Sequence, residues 1–213
     1  MDADLIDASI CCGLLLAAGS GSRFRASASG LADAGLLRGK LLAPLPGSGL
    51  AVARASAMQL KRVLARVVAV IPEHDEALRH ELALAGCEIL VHPHAERGMG
   101  STLAAGIRTI SAGQRPPGMC LVALADMPWI QCDTIRRLSL LRTDAAIAAP
   151  LYREQRGHPV RFDAQLFGEL SALDGDMGAR SLMLAHAVHL MPCDDPGVIR
   201  DIDTVAQLGG SAD

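Results

Sequence analysis

The sequence predicts an α/β fold in which a mostly parallel sheet lies between two layers of helices. Short apolar runs of strand length alternate along the chain with longer segments whose apolar residues recur every three or four positions. Functional groups directly follow two of these runs, and open α/β sheets bind ligands at the carboxyl ends of their strands. Half of the 213 residues are apolar, which is enough for one sizeable core. We therefore expect a single domain over residues 1–213, with its core at about 11–208.

Strands and helices are predicted to alternate as far as Pro150. Strands are expected at residues 11–17, 66–71, 87–91, 119–124 and 145–149. Helices are expected at residues 50–63, 75–85, 101–110 and 133–141. Asp75 is a candidate N-cap with Gly86 at the end of the same helix, and Ser101 is a candidate N-cap of the next helix.

The alternation breaks after Pro150. A polar segment leads into a short strand at 160–162, helices at 164–173 and 179–186, and a strand at 188–191. We expect residues 150–195 to form an elaboration over the carboxyl edge of the sheet, where a second substrate would lie.

The first functional stretch is the apolar run at residues 14–16, which opens into a loop of small residues and a cation, Arg23. Backbone N–H groups of such a loop and a guanidinium suit a polyphosphate. The loop differs from a P-loop because no Gly-Lys-Ser/Thr follows Gly19, and the third glycine of a dinucleotide fingerprint would fall at Phe24. Taken alone, the loop is also compatible with a strand-to-loop turn that needs glycine for a positive φ.

The second functional stretch is an apolar run that ends on a lone carboxylate, Asp126. An Asp at the carboxyl end of a strand suits a hard divalent cation bound to a polyphosphate. Asp126 is therefore the candidate metal ligand. The alternative is that it caps the turn into the helix after Pro128.

Composition and charge disfavour several classes of protein. An aromatic content of 2% and a net charge of −3 disfavour nucleic-acid binding. No apolar run approaches the roughly twenty residues of a membrane span, and the acidic first ten residues lack the basic start of a secretory signal. We expect a cytoplasmic protein without membrane or nucleic-acid partners. The six cysteines form no CxxC pair, which predicts buried reduced thiols.

Several segments, in order along nearly the whole chain, resemble the signature of the MobA-like nucleotidyltransferases. They are Leu16-Ala17-Ala18-Gly19-x-x-x-Arg23 with Lys40-Leu41-Leu42, Arg97-Gly98-Met99-Gly100-Ser101-Thr102-Leu103, Ala125-Asp126-Met127-Pro128, Arg156-Gly157-His158-Pro159-Val160, Gly175-Asp176-x-Gly178-Ala179-Arg180 and Asp201-Ile202-Asp203-Thr204. Within this group the sequence is more similar to the molybdenum cofactor cytidylyltransferases. Residues 16–19 read Leu-Ala-Ala-Gly, where guanylyl relatives read Leu-Ala-Gly-Gly, and the segments around Gly157 and Gly175 also match.

The resemblance implies the Rossmann-like three-layer α/β/α fold of the nucleotide-diphospho-sugar transferases. It also implies Mg²⁺-dependent transfer of CMP from CTP to the phosphate of molybdenum-bound molybdopterin, with release of pyrophosphate. The product would be a cytosine dinucleotide cofactor, and a recipient molybdoenzyme or its maturation chaperone would be a further partner. The alternatives are a guanylyltransferase of the same cofactor, a sugar-phosphate nucleotidyltransferase and, from a different class, a non-catalytic carrier or chaperone of the molybdenum cofactor.

The resemblance also implies roles for individual residues. Catalytic roles fall to Arg23, Lys40 and Asp126. Nucleotide binding falls to Leu16, Ala17, Ala18, Gly19, Arg23, Lys40, Gly98 and Ser101. Acceptor binding falls to Arg156, His158, Asp176 and Arg180. Metal binding falls to Asp126 and Asp203, with Asp201 as the alternative second ligand. Base selection is expected from backbone groups and small residues, without a charged side chain.

Several of these assignments keep a competing interpretation. Family members place the lysine a few residues after the arginine, whereas here a segment rich in Ala, Ser and Gly intervenes at 25–39. We expect a flexible surface insertion there, which leaves Arg25 and Arg38 as alternative phosphate cations. Asp203 could instead N-cap a helix near Val205, His158 could order its own loop, and Asp176 could pair with Arg180.

Overall fold

The computed structural model describes residues 5–19, 22–28 and 39–209. In this part of the chain the strands are β1 (Cys11–Leu16), β2 (Arg66–Pro72), β3 (Glu88–His92), β4 (Met119–Leu124), β5 (Ile147–Tyr152), β6 (Gln155–Arg156), β7 (Val160–Asp163) and β8 (Val188–Pro192). The α-helices are α1 (Ser22–Ala28), α2 (Val52–Lys61), α3 (Glu76–Leu84), α4 (Met99–Ser111), α5 (Cys132–Leu140), α6 (Phe167–Ser171) and α7 (Arg180–Ala185).

All eight strands belong to one mixed sheet with β1 near its centre. The order is β3-β2-β1-β4-β7-β5-β6, and β8 also pairs with β5. β1 runs parallel to both of its neighbours, β2 and β4. Leu16, at the carboxyl end of β1, lies opposite Val70 of β2 and Leu124 of β4. Only β7 and β6 run against the direction of the other described strands. The predicted mostly parallel sheet is confirmed.

Helices cover both faces of the sheet. Successive residues of β1 point to opposite sides, so they pack against different helices. Leu15 lies in a buried cluster with residues of α2, α3 and α5, such as Leu78 and Leu138. Leu14 lies in a second cluster with residues of α4 and α6, such as Ile107 and Leu170. The predicted three-layer α/β/α arrangement is therefore confirmed.

The helix ends differ in part from the prediction. Asp75 caps α3, since its carboxylate accepts a hydrogen bond from the Leu78 N–H at 3.0 Å. The prediction that Ser101 caps α4 is wrong, because α4 begins at Met99 and its N-cap residue is Gly98. Ser101 is buried inside the helix, and its hydroxyl lies 2.8 Å from Nε2 of His92.

The region after Pro150 also differs from expectation. β7 lies between β4 and β5, and β8 pairs with β5, so both are strands of the sheet itself rather than an elaboration over its edge. The helix predicted at 164–173 is divided into a 3₁₀ turn, Ala164–Leu166, and the short α6. β7 is buried on both faces: Val160 and Phe162 pack in the cluster that contains Leu14, and Arg161, on the other side, is buried as the ion-pair partner of Asp163.

Of the predicted insertion at 25–39, residues 25–28 belong to α1 and residues 29–38 lie outside the described part of the chain. Cys11, Cys12 and Cys120 are buried, as predicted, whereas Cys87, Cys132 and Cys193 are only partly buried. Burial raises the pKa of Cys12 to about 11. Among the described residues, no helix is long and apolar enough to cross a membrane.

Candidate functional site

A cleft of about 380 Å³ lies at the carboxyl ends of β1 and β4. Three parts of the chain line it: the ends of these two strands with the residues that follow them, the segment that leads into α4, and single residues from more distant loops. The lining residues are Leu16, Ala18, Gly19, Lys40, Leu41, Ala95, Glu96, Gly98, Met99, Thr102, Leu124, Ala125, Asp126 and Asp176. The cleft lies where a parallel sheet is expected to bind a ligand.

Three carboxylates converge beside this cleft. Asp126 follows β4, and Asp201 and Asp203 come from the segment after the 3₁₀ turn Pro196–Ile199. One oxygen of each carboxylate lies within 4.8 Å of the others. The segments are joined directly, because the N–H of Ile202 donates to the carbonyl oxygen of Asp126 at 3.1 Å. The predicted ligands Asp126 and Asp203 are thus together, and the alternative ligand Asp201 is beside them.

Two cations contact these carboxylates. Lys40 lies in the 3₁₀ turn Lys40–Leu42, and its Nζ is 2.6 Å from Oδ2 of Asp126 and 3.1 Å from Oδ1 of Asp203. The Lys40 side chain is only 12% exposed. Arg23, from α1, donates to Oδ2 of Asp203 at 2.9 Å, and its side chain is 80% exposed. The three residues predicted to be catalytic, Arg23, Lys40 and Asp126, therefore belong to one network.

The charges of this network shift several pKa values. Burial acts to lower the pKa of Lys40, but hydrogen bonds to Asp126 and Asp203 outweigh it and the pKa is raised. The hydrogen bond from Lys40, with that from Arg23, lowers the pKa of Asp203. Burial, with the charges of Asp203 and Asp126, raises the pKa of Asp201. Lys40 is thus held in its charged form, whereas the surroundings of Asp201 disfavour the charged form of its carboxyl group.

The site fits a hard divalent cation. Carboxylate oxygens are the ligands that Mg²⁺ and Mn²⁺ favour, and three of them meet here. Among the described residues, the buried Oδ1 of Asp126 has no hydrogen-bond partner. A buried carboxylate oxygen without a partner is costly, and a bound cation would compensate it.

The capping alternatives for the two aspartates are not supported. The N-cap of α5 is Gln131, and the carboxylate of Asp126 bonds to Lys40 instead. Near Val205, the Oε1 of Gln207 accepts from the N–H groups of Asp203 and Thr204. Gln207 thus satisfies the N–H groups of this turn. The carboxylate of Asp203 contacts Arg23 and Lys40 instead. Of the alternative phosphate cations, Arg38 lies outside the described residues.

The predicted nucleotide-binding residues are only partly in the cleft. Leu16, Ala18, Gly19 and Gly98 line it. Ala17 is buried, and its N–H donates to the carbonyl oxygen of Val70. Ser101 bonds to His92 and is not among the lining residues, whereas the next residue, Thr102, is.

The glycines before and in α4 serve contacts within the chain. Gly98 has φ +109°, and a Cβ there would lie 2.1 Å from Oδ1 of Asp176. A Cβ on Gly100 would lie 2.6 Å from the carbonyl oxygen of Asp174, and its N–H donates to the Gly175 carbonyl at 2.7 Å. The space beside Gly100 is thus taken by the loop at 174–178 and not by a ligand.

The predicted acceptor residues do not form one cluster. Asp176 lines the cleft predicted for the nucleotide. Arg180 begins α7 and Arg156 lies on β6, and both are exposed. Asp176 and Arg180, although both are described, form no ion pair with each other, whereas Arg97 pairs with Asp174. The acceptor roles of these residues stay predictions.

His158 lies close to the carboxylates. Its backbone N–H donates to the carbonyl oxygen of Val198 at 2.8 Å. Its ring nitrogen Nδ1 is buried and has no hydrogen-bond partner among the described residues. Burial lowers the pKa of His158, although a hydrogen bond with the backbone of Val122 and the charge of Asp126 oppose this. The neutral imidazole therefore borders the carboxylate cluster.

Sequence reasoning missed three residues of the site and its surroundings. Thr102 and Glu96 line the cleft, and Asp195 is a buried carboxylate behind it. Thr102 had a signal because it lies in a segment that resembles the family, and Asp195 had one because Asp-Pro-Gly at 195–197 is typical of a capped turn.

Solved structures with the same fold come from several organisms. Rv0371c from Mycobacterium tuberculosis H37Rv is 25% identical, with a TM-score of 0.77 over 97% of this chain and 100% of that chain. A crystal structure of Rv0371c in complex with manganese aligns at 23% identity with a TM-score of 0.72, over 93% of this chain and 95% of that chain. A nucleotidyl transferase from Methanothermobacter is 20% identical, with a TM-score of 0.73 over 93% of this chain and 94% of that chain.

A more distant match shares the fold alone. The inositol-1-phosphate CTP transferase from T. maritima is 12% identical, with a TM-score of 0.63 over 95% of this chain and 93% of that chain. The fold is that of the nucleotide-diphospho-sugar transferases, as predicted. No curated protein matches the sequence.

The family model of the MobA-like NTP transferase domain matches residues 13–190. This range includes most of β1, the residues that line the cleft, and Asp126, and it covers most of the chain. The chain therefore belongs to the MobA-like NTP transferase family and is a nucleotidyltransferase with a nucleoside triphosphate as substrate.

Proposed function

We propose that the protein transfers CMP from CTP to the phosphate of molybdenum-bound molybdopterin and releases pyrophosphate. The observation that carries the transferase chemistry is the convergence of Asp126, Asp201 and Asp203 with Lys40 beside the cleft. An acceptor phosphate oxygen would form a bond to the α-phosphorus, while the bond from that phosphorus to the β-phosphate oxygen breaks. The acceptor is already an anion, so the site needs alignment and charge compensation more than a general base.

Asp126 and Asp203, with Asp201, would hold a divalent cation, which we propose is Mg²⁺. When bound, it would neutralise charge on the triphosphate and on the leaving pyrophosphate. The buried, unpartnered Oδ1 of Asp126 supports this role. Manganese bound to Rv0371c, which has the same fold, agrees with it.

Lys40 and Arg23 would bind the triphosphate. The ammonium of Lys40 lies between two of the proposed ligands, where it compensates their charge. A cation bound by the same oxygens would release Lys40, and its flexible side chain would then reach phosphate oxygens. Arg23 contacts Asp203 and is largely exposed, so it would reach a phosphate with less rearrangement.

The choice of CTP and of molybdopterin is supported by sequence. Residues 16–19 read Leu-Ala-Ala-Gly, and the segments around Gly157 and Gly175 resemble those of the cytidylyltransferases. The cleft is lined by small residues such as Ala18 and Gly19, but also by two carboxylates besides Asp126, namely Glu96 and Asp176. Base selection without a charged side chain stays a prediction, as do the cytoplasmic location and the recipient molybdoenzyme or chaperone.

The test is a substrate panel. Purified protein with Mg²⁺ would receive CTP, GTP, ATP or UTP together with molybdenum-bound molybdopterin, a hexose 1-phosphate or no acceptor, and pyrophosphate release would be followed. We expect CTP to exceed GTP by more than about tenfold with molybdopterin, because a small pocket rejects the larger base. Equal use of GTP would favour the guanylyltransferase, and transfer to hexose phosphate would favour the sugar-phosphate enzyme. Cofactor binding without pyrophosphate release under any condition would favour a carrier.

A further inference from the structure

One part of the carboxylate cluster lies on the segment at residues 195–203, which we call the strap. Asp126 lies at the end of β4, whereas Asp201 and Asp203 are on the strap, about 75 residues later. A metal site needs these oxygens at fixed separations, so whatever docks the strap also sets the geometry of the site.

Asp195 begins the strap and is 1% exposed. Its Oδ2 accepts hydrogen bonds from the Gln131 N–H at 2.9 Å and from the Thr134 hydroxyl at 2.7 Å. Its Oδ1 accepts from the N–H of Gly197 at 3.0 Å. The Asp195 carboxylate thus connects the strap to the start of α5. Residues 126–131, which we call the Asp126 loop, lead into this helix.

The rest of the strap is packed against the same loop. A Cβ on Gly197 would lie 2.2 Å from the carbonyl oxygen of Trp129, so the two backbones are in direct contact. The guanidinium of Arg200 lies 4.0 Å above the Trp129 ring. Ile202 then donates to the carbonyl oxygen of Asp126. The contacts from Asp195 to Ile202 thus connect the buried carboxylate of Asp195 with the carboxylate cluster.

We propose that Asp195 is a positioning residue that fixes the separation of Asp126 from Asp201 and Asp203 by anchoring the strap to the Asp126 loop. The proposal rests on the proposed function in one respect, namely that these carboxylates bind a divalent cation. Asp195 itself neither lines the cleft nor belongs to the carboxylate cluster. Hydrogen bonds to a charged acceptor are the strong ones, and Asp195 accepts three of them in a buried setting.

The test compares Asp195→Asn with Asp163→Asn as a matched control. Asp163 also accepts from a buried partner, Arg161, but on β7. We would measure the dissociation constant of Mn²⁺ alone by electron paramagnetic resonance, the melting temperature, and the fluorescence of Trp129, the only tryptophan. Asp195→Asn should weaken Mn²⁺ binding about tenfold and shift the Trp129 emission. Asp163→Asn should lower the melting temperature while leaving Mn²⁺ binding and emission unchanged.

A milder pair keeps the test decisive if Asp195→Asn does not fold. Thr134→Val removes one hydrogen bond to Asp195 at equal volume, and Thr134→Ser retains the hydroxyl. Thr134→Val should weaken Mn²⁺ binding about threefold, and Thr134→Ser should restore it.

Unchanged Mn²⁺ binding in folded Asp195→Asn, or in Thr134→Val if Asp195→Asn is unfolded, would overturn the proposal. Equal weakening by Asp163→Asn would do so too. If wild-type protein bound no Mn²⁺, the proposed metal site would be wrong. The Trp129 emission of the same variants would then decide whether Asp195 docks the strap.

Discussion

Replacing Lys40 by methionine should make the metal-free protein bind divalent cations more tightly while it slows catalysis. The ammonium lies 2.6 Å from Asp126 and 3.1 Å from Asp203, so it occupies oxygens that a metal ion needs. Methionine retains an apolar side chain of similar length but carries no charge. The substitution therefore removes the competitor without opening a large cavity.

The size of the effect follows from the two hydrogen bonds. A hydrogen bond to a charged group contributes a net stability of about 1.5–3 kcal/mol. Lys40 is 12% exposed, so solvent screens it little. Breaking one such bond would cost the metal at least about 1.5 kcal/mol, and every 1.4 kcal/mol corresponds to a tenfold change in affinity. We therefore expect Mn²⁺ to bind Lys40→Met at least about tenfold more tightly than wild type.

Two measurements test this expectation in the absence of nucleotide. Mn²⁺ titration gives the dissociation constant, and the melting temperature with and without Mn²⁺ gives the stabilisation. Without a counter-charge the three clustered carboxylates repel, so metal-free Lys40→Met should melt lower than wild type and gain more from Mn²⁺. The matched control is Lys61→Met, since Lys61 donates to the Ala65 carbonyl away from the cluster. Weaker or unchanged Mn²⁺ binding by Lys40→Met would show that Lys40 does not compete with the metal.

Three further predictions concern Asp126, His92 and Gly100. Asp126→Ala should remain folded by circular dichroism, yet pyrophosphate release should fall by orders of magnitude because the proposed metal loses a ligand; near-normal turnover would refute this. Burial lowers the pKa of His92 below 6.5. As the pH falls below about 6.5, the unfolded chain therefore binds a proton at His92 before the folded chain does, and the free energy of unfolding should decline. Urea denaturation at about pH 7.5 and 5.5 should show a smaller decline in His92→Gln, and equal declines would contradict the assignment. Gly100→Ala should cost about 1–3 kcal/mol and weaken nucleotide binding in calorimetry, since its Cβ would displace Asp174, whereas Gly113→Ala, with open space around it, should change neither.

Local patterns were sufficient for most of the architecture. The apolar run that gives β4 is long and bounded by turn signals, and its predicted limits agree with the structure. The cap at Asp75 was also predictable, because it depends on a side chain and an N–H three residues away. Ser101 was assigned wrongly because its hydroxyl bonds to His92, a partner in another element that spacing along one helix does not reveal.

The site was predictable where a residue follows a strand directly, as Asp126 does, or lies in a motif shared with relatives, as Lys40 and Asp203 do. Their mutual contacts were not predictable, since they join residues 86 and 163 positions apart. The antiparallel insertion of β7 beside β4 likewise depends on pairing across the fold. Asp195 was missed because its importance comes from three partners, two of which lie on or near α5.

Because β1 lies near the centre of the sheet, different parts of the site should open locally at different free energies. β1 is paired along its length on both sides and is wholly buried, so its amides should be among the slowest to exchange with deuterium. Lys40 and Asp203 instead belong to short turns or loops at the surface, which open at lower free energy. The cleft residues that end or follow β1 are thus held by a well-protected strand, whereas Lys40 and Asp203 are held by segments that open easily. Binding of a metal–nucleotide complex should therefore slow deuterium uptake around residues 39–42 and 201–209 and leave β1 almost unchanged.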